Sequence, residues 1–283
     1  MIYINSKNDE YCGVPPVETP KRIDIIKSEF FDINTVELDA QSALNLLYKV
    51  HSKPYVDSVI RLAKMNIASP DTSFNPSLID VALNSINTTK SACLNEDFAI
   101  VRPAGHHAGK MSYGGFCYFN NIVAGLIDYL DSNKKVAVID LDAHYGNGTH
   151  QILSKYPNSF FASIHADCLK YYPAKKIQTN NSILIDVEPE NETDLTYISH
   201  VKKVIEAVWD FKPEIIGISM GFDTYVEDEV LNFNVKSAQT YFEIGRMLAD
   251  IPIKQFAVLE GGYHSQLGKL CKEFYSGWKY ERN

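Results

Sequence analysis

The sequence predicts one α/β domain spanning residues 1–283, an open parallel sheet with helices on both faces. Two observations predict it. From about residue 98 onward, short runs rich in β-branched and aromatic residues alternate with stretches of helical periodicity, the pattern of right-handed strand–helix–strand units. Polar, chemistry-bearing motifs fall directly after five of those runs. In an open parallel sheet the carboxyl ends of the strands share one edge, and ligands bind there.

The elements follow in order. Up to about residue 31 the chain reads as a short Tyr/Ile strand, a proline-rich loop at Val14-Pro15-Pro16, and a helix entered at Thr19-Pro20 with proline near its first position. Residues 40–50 and 54–65 read as helices, followed by a turn-rich Ser69-Pro70-Asp71-Thr72 and a long helical pattern over 76–94. Strands are expected at about 98–101, 136–140, 160–164, 183–187, 215–219 and 256–259. Helices are expected at 119–131, 194–209, 236–250 and 267–275. No linker, internal repeat or low-complexity run interrupts them.

Composition narrows the function. Hydrophobic residues make up 45% and charged residues 22%, an ordinary globular balance. The formal net charge of −8 argues against direct nucleic-acid binding and allows attraction of cationic substrates. Five cysteines, odd in number and without a C-x-x-C pair, fit neither a disulfide framework nor a cysteine zinc site. The start lacks a basic n-region and an apolar h-region, and no stretch is long and apolar enough for a membrane span, so a cytoplasmic monomer or weak oligomer is expected.

The informative stretch is Val138-Ile139-Asp140-Leu141-Asp142-Ala143-His144-Tyr145-Gly146-Asn147-Gly148. An apolar strand runs into two carboxylates and an imidazole spaced two residues apart, and on an extended segment that spacing points all three the same way. Acids at a buried strand end call for a cation. Asp142, His144 and Asp223, from Gly221-Phe222-Asp223-Thr224, form a natural triad of metal ligands with a position left for water or substrate. Oxygen and nitrogen donors suit Zn²⁺, and Fe²⁺, Co²⁺ or Mn²⁺ would fit the same set.

Arg102-Pro103-Ala104-Gly105-His106-His107 places adjacent histidines on a loop after a strand, suited to general base and acid. Asp140 would accept a hydrogen bond from one imidazole and favour its charged form, while Asn147 orients the other without adding charge. Glu260-Gly261-Gly262-Tyr263 sets a phenol on a Gly-Gly hinge, suited to donate to a forming oxyanion. The reaction class is metal-assisted hydrolysis of an amide. Cys117 sits in an apolar segment and reads as wall, not nucleophile.

These residues resemble the zinc-dependent histone deacetylases and acetylpolyamine amidohydrolases of the arginase/deacetylase fold. The resemblance covers about 20–263 and rests on Arg102-Pro-Ala-Gly-His-His-Ala, Gly115-Phe-Cys-Tyr-Phe-Asn-Asn, Asp140-Leu-Asp-Ala-His-Tyr-Gly-Asn-Gly-Thr and Glu260-Gly-Gly-Tyr. Asn147, Phe222 and the Glu-Gly-Gly-Tyr form are nearer the class II and polyamine branch. It implies Zn²⁺ on Asp142, His144 and Asp223, His106 paired with Asp140, His107 as main general base, and Tyr263 and Asn147 in support. It also implies a structural K⁺ at Asp140, Asp142, His144, Ser163 and Ile164, partly through backbone oxygens. Gly115, Phe116, Tyr172 and Gly262 would contact substrate, and Asp71 aligns with a rim acid that grips peptide backbone in some relatives. The implied partner is an acylated small amine or an acetyl-lysine peptide.

Three departures bear on substrate. Tyr145 replaces the usual second histidine, Asp228-Glu229 replaces the usual Asp-Pro, and only residues 174–181 separate Tyr171-Tyr172-Pro173 from the next strand, where the family has a longer glycine-rich loop. An arginase-like ureohydrolase would share the fold but needs further bridging acids, where positions 146 and 225 are Gly and Tyr. A silent acyl-amine binding protein would not need His106, His107 and Tyr263 together. A turnover assay with metal analysis separates these readings.

Overall fold

A computed structural model describes residues 1–11, 13, 17–67 and 71–280; Cys12, Val14-Pro15-Pro16 and Ser69-Pro70 lie outside the described residues. Within them, eight strands form one parallel sheet. The strands are β1 (Ile2–Asn5), β2 (Ile33–Val36), β3 (Phe98–Ile100), β4 (Val136–Asp140), β5 (Ser159–Ala166), β6 (Ser182–Val187), β7 (Ile215–Met220) and β8 (Lys254–Leu259). Their order is β2-β1-β3-β8-β7-β4-β5-β6, with every pair parallel.

The strand sequences explain which lie inside. All residues of β3, β4 and β7 are buried, as a parallel sheet covered on both faces requires, whereas β2 and β6 are only partly buried and form the two edges. Alternation sorts the side chains. Along β4, Val136 and Val138 join one core, while Ala137 and Ile139 join the other.

Helices α2 (Ala40–Val50), α3 (Lys53–Met65), α4 (Leu78–Asn95), α5 (Asn121–Asp131) and α6 (Asn147–Leu153) close the first core through residues such as Leu47, Val56, Ile86, Ile122 and Ile152. Helices α1 (Lys21–Lys27), α7 (Asp194–Phe211), α8 (Ala238–Ala249) and α9 (Leu267–Trp278) close the second through Ile23, Val201, Ile244 and Phe274. Helices thus lie on both faces, as predicted. No helix among the described residues is long and apolar enough to cross a membrane.

Two elements escape the sequence reading. Strand β2 is four residues with two polar ones, too short to show a period, and it forms because β1 offers its outer edge. Helix α6 begins at Asn147, inside a Gly-Asn-Gly stretch to which the sequence assigns no element.

The strand order sets the position of the site. Strands β8 and β7 lie between β3 and β4, so the loops leaving β3, β4, β7 and β8 meet over the middle of the sheet. The N-terminal segment is fastened above them by Arg102, fully buried just after β3. Its guanidinium reaches both carboxylate oxygens of Glu18, at 2.8 and 2.7 Å, and donates to the carbonyls of Asn8 and Tyr11. Glu18 also lies 3.7 Å from Arg22, so one buried carboxylate balances two buried guanidinium groups.

Glu18→Gln therefore leaves both arginines uncompensated. We expect it to lower the unfolding free energy by about 3–5 kcal/mol, the usual cost of breaking a buried ion pair from one side. Urea unfolding is the check; a change under about 1 kcal/mol, the size of an exposed pair, would mean that the fastening lies elsewhere.

Candidate active site

The site is built outward from the end of β4. Asp140 is its last residue, and from there the chain does not continue extended, as the spacing suggested, but curls. The Asp142 N–H donates to Asp140 Oδ1 at 3.2 Å, and the His144 N–H donates to Asp142 Oδ1 at 2.8 Å. Each carboxylate accepts the amide two residues on, the local bond that aspartate favours over continued strand. The three side chains still converge.

His144 Nδ1 lies 2.9 Å from Asp223 Oδ2 and 3.2 Å from Asp142 Oδ1. Asp142, His144 and Asp223 form a group whose ligand atoms all fall within 4.8 Å of one another. Both aspartates are buried. The backbone reaches in as well, with the Ala143 N–H on Asp223 Oδ1 at 2.9 Å and the Gly261 N–H on Asp142 Oδ2 at 2.8 Å. A Cβ on Gly261 would stand 2.7 Å from both Asp142 Oδ2 and Asp223 Oδ2, so only glycine lets the backbone come this close.

The charges in this group favour a positive partner. Burial, then the Asp142 charge, pushes the Asp223 carboxyl up to about 8. Burial opposes a charged His144, but its hydrogen bonds to Asp142 and Asp223 prevail and hold it up to about 10. A proton is thus held where a metal ion would supply the same positive charge, and one imidazole with two carboxylates is a donor set that fits a Zn²⁺-like ion.

The adjacent histidines are sharply divided. His106 Nδ1 contacts Asp140 Oδ2 at 3.1 Å, and burial of the ring is outweighed by Asp142 and Asp140, which raise its pKa well above the ordinary value. His107 Nδ1 lies 2.8 Å from Asn147 Oδ1. Burial and then the positive charges at His106 and His144 lower its pKa well below the usual range, so His107 is neutral. With Nδ1–H donated to Asn147, the other ring nitrogen keeps its lone pair.

Tyr263 is buried, its ring edge-on to Phe116 at 5.6 Å and beneath the Arg22 guanidinium at 4.4 Å. Arg22 also donates to the carbonyls of Gly262, at 2.8 Å, and Glu260, at 2.6 Å. The Tyr263 N–H donates to Asp228 Oδ2 at 2.6 Å. Burial raises the phenol pKa well above its ordinary value, which keeps the hydroxyl protonated and able to donate.

These groups face one cavity of about 140 Å³, lined by His106, His107, Asp142, His144, Asp223 and Tyr263, with Gly115, Phe116, Tyr172, Val230, Asp71, Ala104 and Gly261 as walls. Tyr172 stands edge-on to His107 at 4.7 Å. Gly115, at φ +54°, cannot carry a side chain, because a Cβ would lie 2.5 Å from the His107 ring. Asp71 sets this wall, accepting the Gly115 N–H at 3.1 Å on its carboxylate and the Phe116 N–H at 3.0 Å on its carbonyl.

Most of the residues singled out in the sequence meet here. Gly261, not Gly262, lines the cavity; the Gly262 carbonyl is taken by Arg22. Ser163 and Ile164 lie on β5 beside β4, with Ser163 the register partner of Asp140. Asp228 is buried beneath Tyr263, and Lys176 pairs with Asp186.

The sequence reading missed the supporting residues. Glu260 accepts the Gly105 N–H at 2.7 Å and the His106 N–H at 3.2 Å, and takes the Ser219 hydroxyl on its other oxygen at 3.0 Å. An acid ending an apolar strand was the available signal. Asn120 holds the same histidine loop through the Ala108 carbonyl at 3.0 Å. Arg22 gave no local signal.

An open parallel sheet with two carboxylates and an imidazole at its carboxyl edge, beside a histidine pair and a buried phenol, is an arrangement suited to metal-assisted hydrolysis. The family model of the histone deacetylase domain matches residues 17–276, and the chain belongs to that family. An uncharacterised protein of Methanocaldococcus jannaschii is 31% identical, over 96% of this chain and 86% of its own. The acetylpolyamine amidohydrolase of Mycoplana ramosa is 27% identical over 92% of this chain and 91% of its own. The histone deacetylase clr3 of Schizosaccharomyces pombe is 28% identical over 79% and 37% respectively.

Solved structures share the fold. The acetylpolyamine aminohydrolase of Burkholderia pseudomallei superposes with a TM-score of 0.83 at 19% identity, covering 99% of both chains. The HD domain of HDA15 gives a TM-score of 0.86 at 23% identity, covering 100% of this chain and 92% of its own.

If Asn147 keeps His107 neutral by orienting it without charge, Asn147→Asp should raise the His107 pKa by about 1–3 units, the effect of a carboxylate placed beside a titrating group. NMR titration of the ring protons reads this directly. An unmoved titration would mean that Asn147 does not set the charge of His107.

Proposed function

We propose that the chain is a zinc-dependent deacetylase, working as one domain over residues 1–283, that removes acetyl or another short acyl group from amines such as N-acetyl-lysine in peptides or acetylpolyamines. The observation that carries the reading is the convergence on one cavity of three ligands for a single ion, a neutral His107 and a protonated Tyr263. Asp142, His144 and Asp223 would hold the ion. When bound, it polarises the amide carbonyl and makes water more acidic.

The chain's residues do the rest. His107, neutral and lying against the cavity, takes the proton of the attacking water. His106, kept charged by Asp140 and Asp142, stabilises negative charge developing beside it and, with His107, supplies the proton with which the amine leaves. Tyr263 donates to the oxyanion as it forms, from a ring clamped by Arg22 and Phe116. Phe116, Tyr172 and Val230 present apolar walls to an aliphatic chain, with Asp71 at the same cavity. The oxygens of Asp140, Asp142, His144, Ser163 and Ile164 would take a structural K⁺ under this floor, a hard cation suited to oxygen donors.

The substrate is set by the mouth. Asp228 is buried beneath Tyr263 and Lys176 is drawn off to Asp186, while Glu227, Glu229 and Lys175 stay exposed, so charge of both signs remains on the surface. The enzyme should accept both small N-acetyl amines and acetyl-lysine in flexible peptides. The test is a panel of acylated amines assayed on the zinc-loaded and the chelator-stripped protein. Turnover should disappear on stripping and return with metal. A kcat/KM for acetylpolyamines above that for acetyl-lysine peptides by more than about a hundredfold, roughly 2.7 kcal/mol, would overturn the permissive reading. Turnover unaffected by stripping would overturn the metal.

Tyr263→Phe should keep the fold and the metal yet slow kcat by about a hundred- to a thousandfold, or roughly 2.7–4 kcal/mol, the effect of removing one oxyanion donor. Near-normal turnover would make Tyr263 a packing residue.

A further inference from the structure

A second group of ligand atoms lies away from the cavity, where β5 and β6 meet. His165 and Asp186 are register partners on these two strands, and Cys168 follows β5 on the loop that leads to Tyr171-Tyr172. The His165 imidazole, Cys168 thiol and Asp186 carboxylate offer one nitrogen, one sulfur and one oxygen within 4.8 Å of one another. His165 and Cys168 are fully buried, and the Asp186 side chain is 38% exposed, giving the group one side open to solvent.

The His165 ring is prepared in a particular way. Its Nδ1 is 2.8 Å from the Ser163 hydroxyl, and the Tyr145 ring packs over it at 4.8 Å, which fixes its orientation. Nε2 is buried with no hydrogen-bond partner among the described residues, although Asp186 Oδ1 is 3.3 Å away. Two atoms each about 2.0–2.2 Å from one tetrahedral ion stand about 3.3–3.6 Å apart, so the spacing of these two is that of ligands to a shared metal. A metal-bound histidine characteristically holds its other ring nitrogen on an oxygen, as Ser163 does here.

We propose that His165, Cys168 and Asp186 form a second transition-metal site, taking a borderline-soft divalent ion such as Zn²⁺. Binding releases the Cys168 proton to solvent and sets two negative ligands against the dication, leaving the site neutral. The ion uses Asp186 Oδ1, while Lys176 stays on Oδ2. The fourth position, toward the exposed side of Asp186, is filled by water. The site clips the loop between β5 and β6 to the sheet, and that loop carries Tyr172 to the cavity wall. It is independent of the reaction proposed above, because none of its ligands lines the cavity.

The test uses cobalt, whose bond to a thiolate absorbs in the near ultraviolet, whereas Asp142, His144 and Asp223 contain no sulfur. The metal-free full chain is titrated with Co²⁺ alone. The wild type should develop the cobalt–thiolate band, Asp142→Ala should retain it, and Cys168→Ala should lose it while its circular dichroism is unchanged. No band in the wild type overturns the site. So does a band that survives in Cys168→Ala, as binding at His106, Cys117 and Glu260 would give. Should Cys168→Ala not fold, Asp186→Asn, at a partly exposed position, decides: it should weaken the band-forming Co²⁺ affinity by about 10- to 100-fold or more, at least the effect of losing a residue that merely orients a ligand, and unchanged affinity overturns the proposal.

Discussion

The structure depends on keeping carboxylates out of water at the centre of a hydrophobic sheet. Asp140, Asp142, Asp223 and Glu260 are all buried at the carboxyl ends of β4, β7 and β8. An isolated buried carboxylate is too costly to stay ionised, so each must be surrounded by donors and positive charge. The backbone supplies many of them, through the amides of Gly105, His106, Asp142, Ala143, His144 and Gly261. Glycine at 261 and curled backbone after β4 follow from this need. The remaining positive charge comes from His106 and His144, and from whatever cation joins the latter.

The same electrostatic balance divides the two histidines. They are neighbours in sequence, with ring centroids 4.0 Å apart, yet one is held charged and the other neutral. Two carboxylates act on His106, while an amide meets His107. Once His106 carries its charge, that charge helps to keep His107 free of a proton. One pair of adjacent residues thus covers both roles of acid–base chemistry, the assignment being made entirely by the groups behind them.

What was legible in the sequence was the chemistry that a strand end displays. Asp140, Asp142 and His144 follow an unmistakably buried strand, and His106-His107, Asp223 and Tyr263 follow others, so the sheet brings together what the spacing suggested. The supporting framework was not legible, because it is made of long-range partners. Glu18 and Arg102, or Arg22 and the Glu260 carbonyl, are matched only after the N-terminal segment crosses the sheet edge. Asp228 belongs to the same group: it stands between Glu227 and Glu229 in sequence, and only the amides of Tyr263, Val230 and Leu231 make it an interior acid. Strand β2 and helix α6 were too short for any period to emerge.

The strand order has a consequence for how the protein comes into being. A growing chain that has reached the end of β6 possesses β3 and β4, with His106, His107, Asp140, Asp142 and His144 already made, yet these two strands do not pair with each other. Each has an inner edge awaiting β7 and β8, which are synthesised last and slot between them. Until then the histidines have no Glu260 to hold their loop, and Asp142 has neither Asp223 nor the Gly261 amide beside it. Catalytic competence therefore waits for closure of the sheet, since Asp223 follows β7 and Gly261 and Tyr263 follow β8. Until closure, two apolar strand edges stay open, which makes the interval before the last seventy or so residues emerge the period of greatest exposure to mispairing.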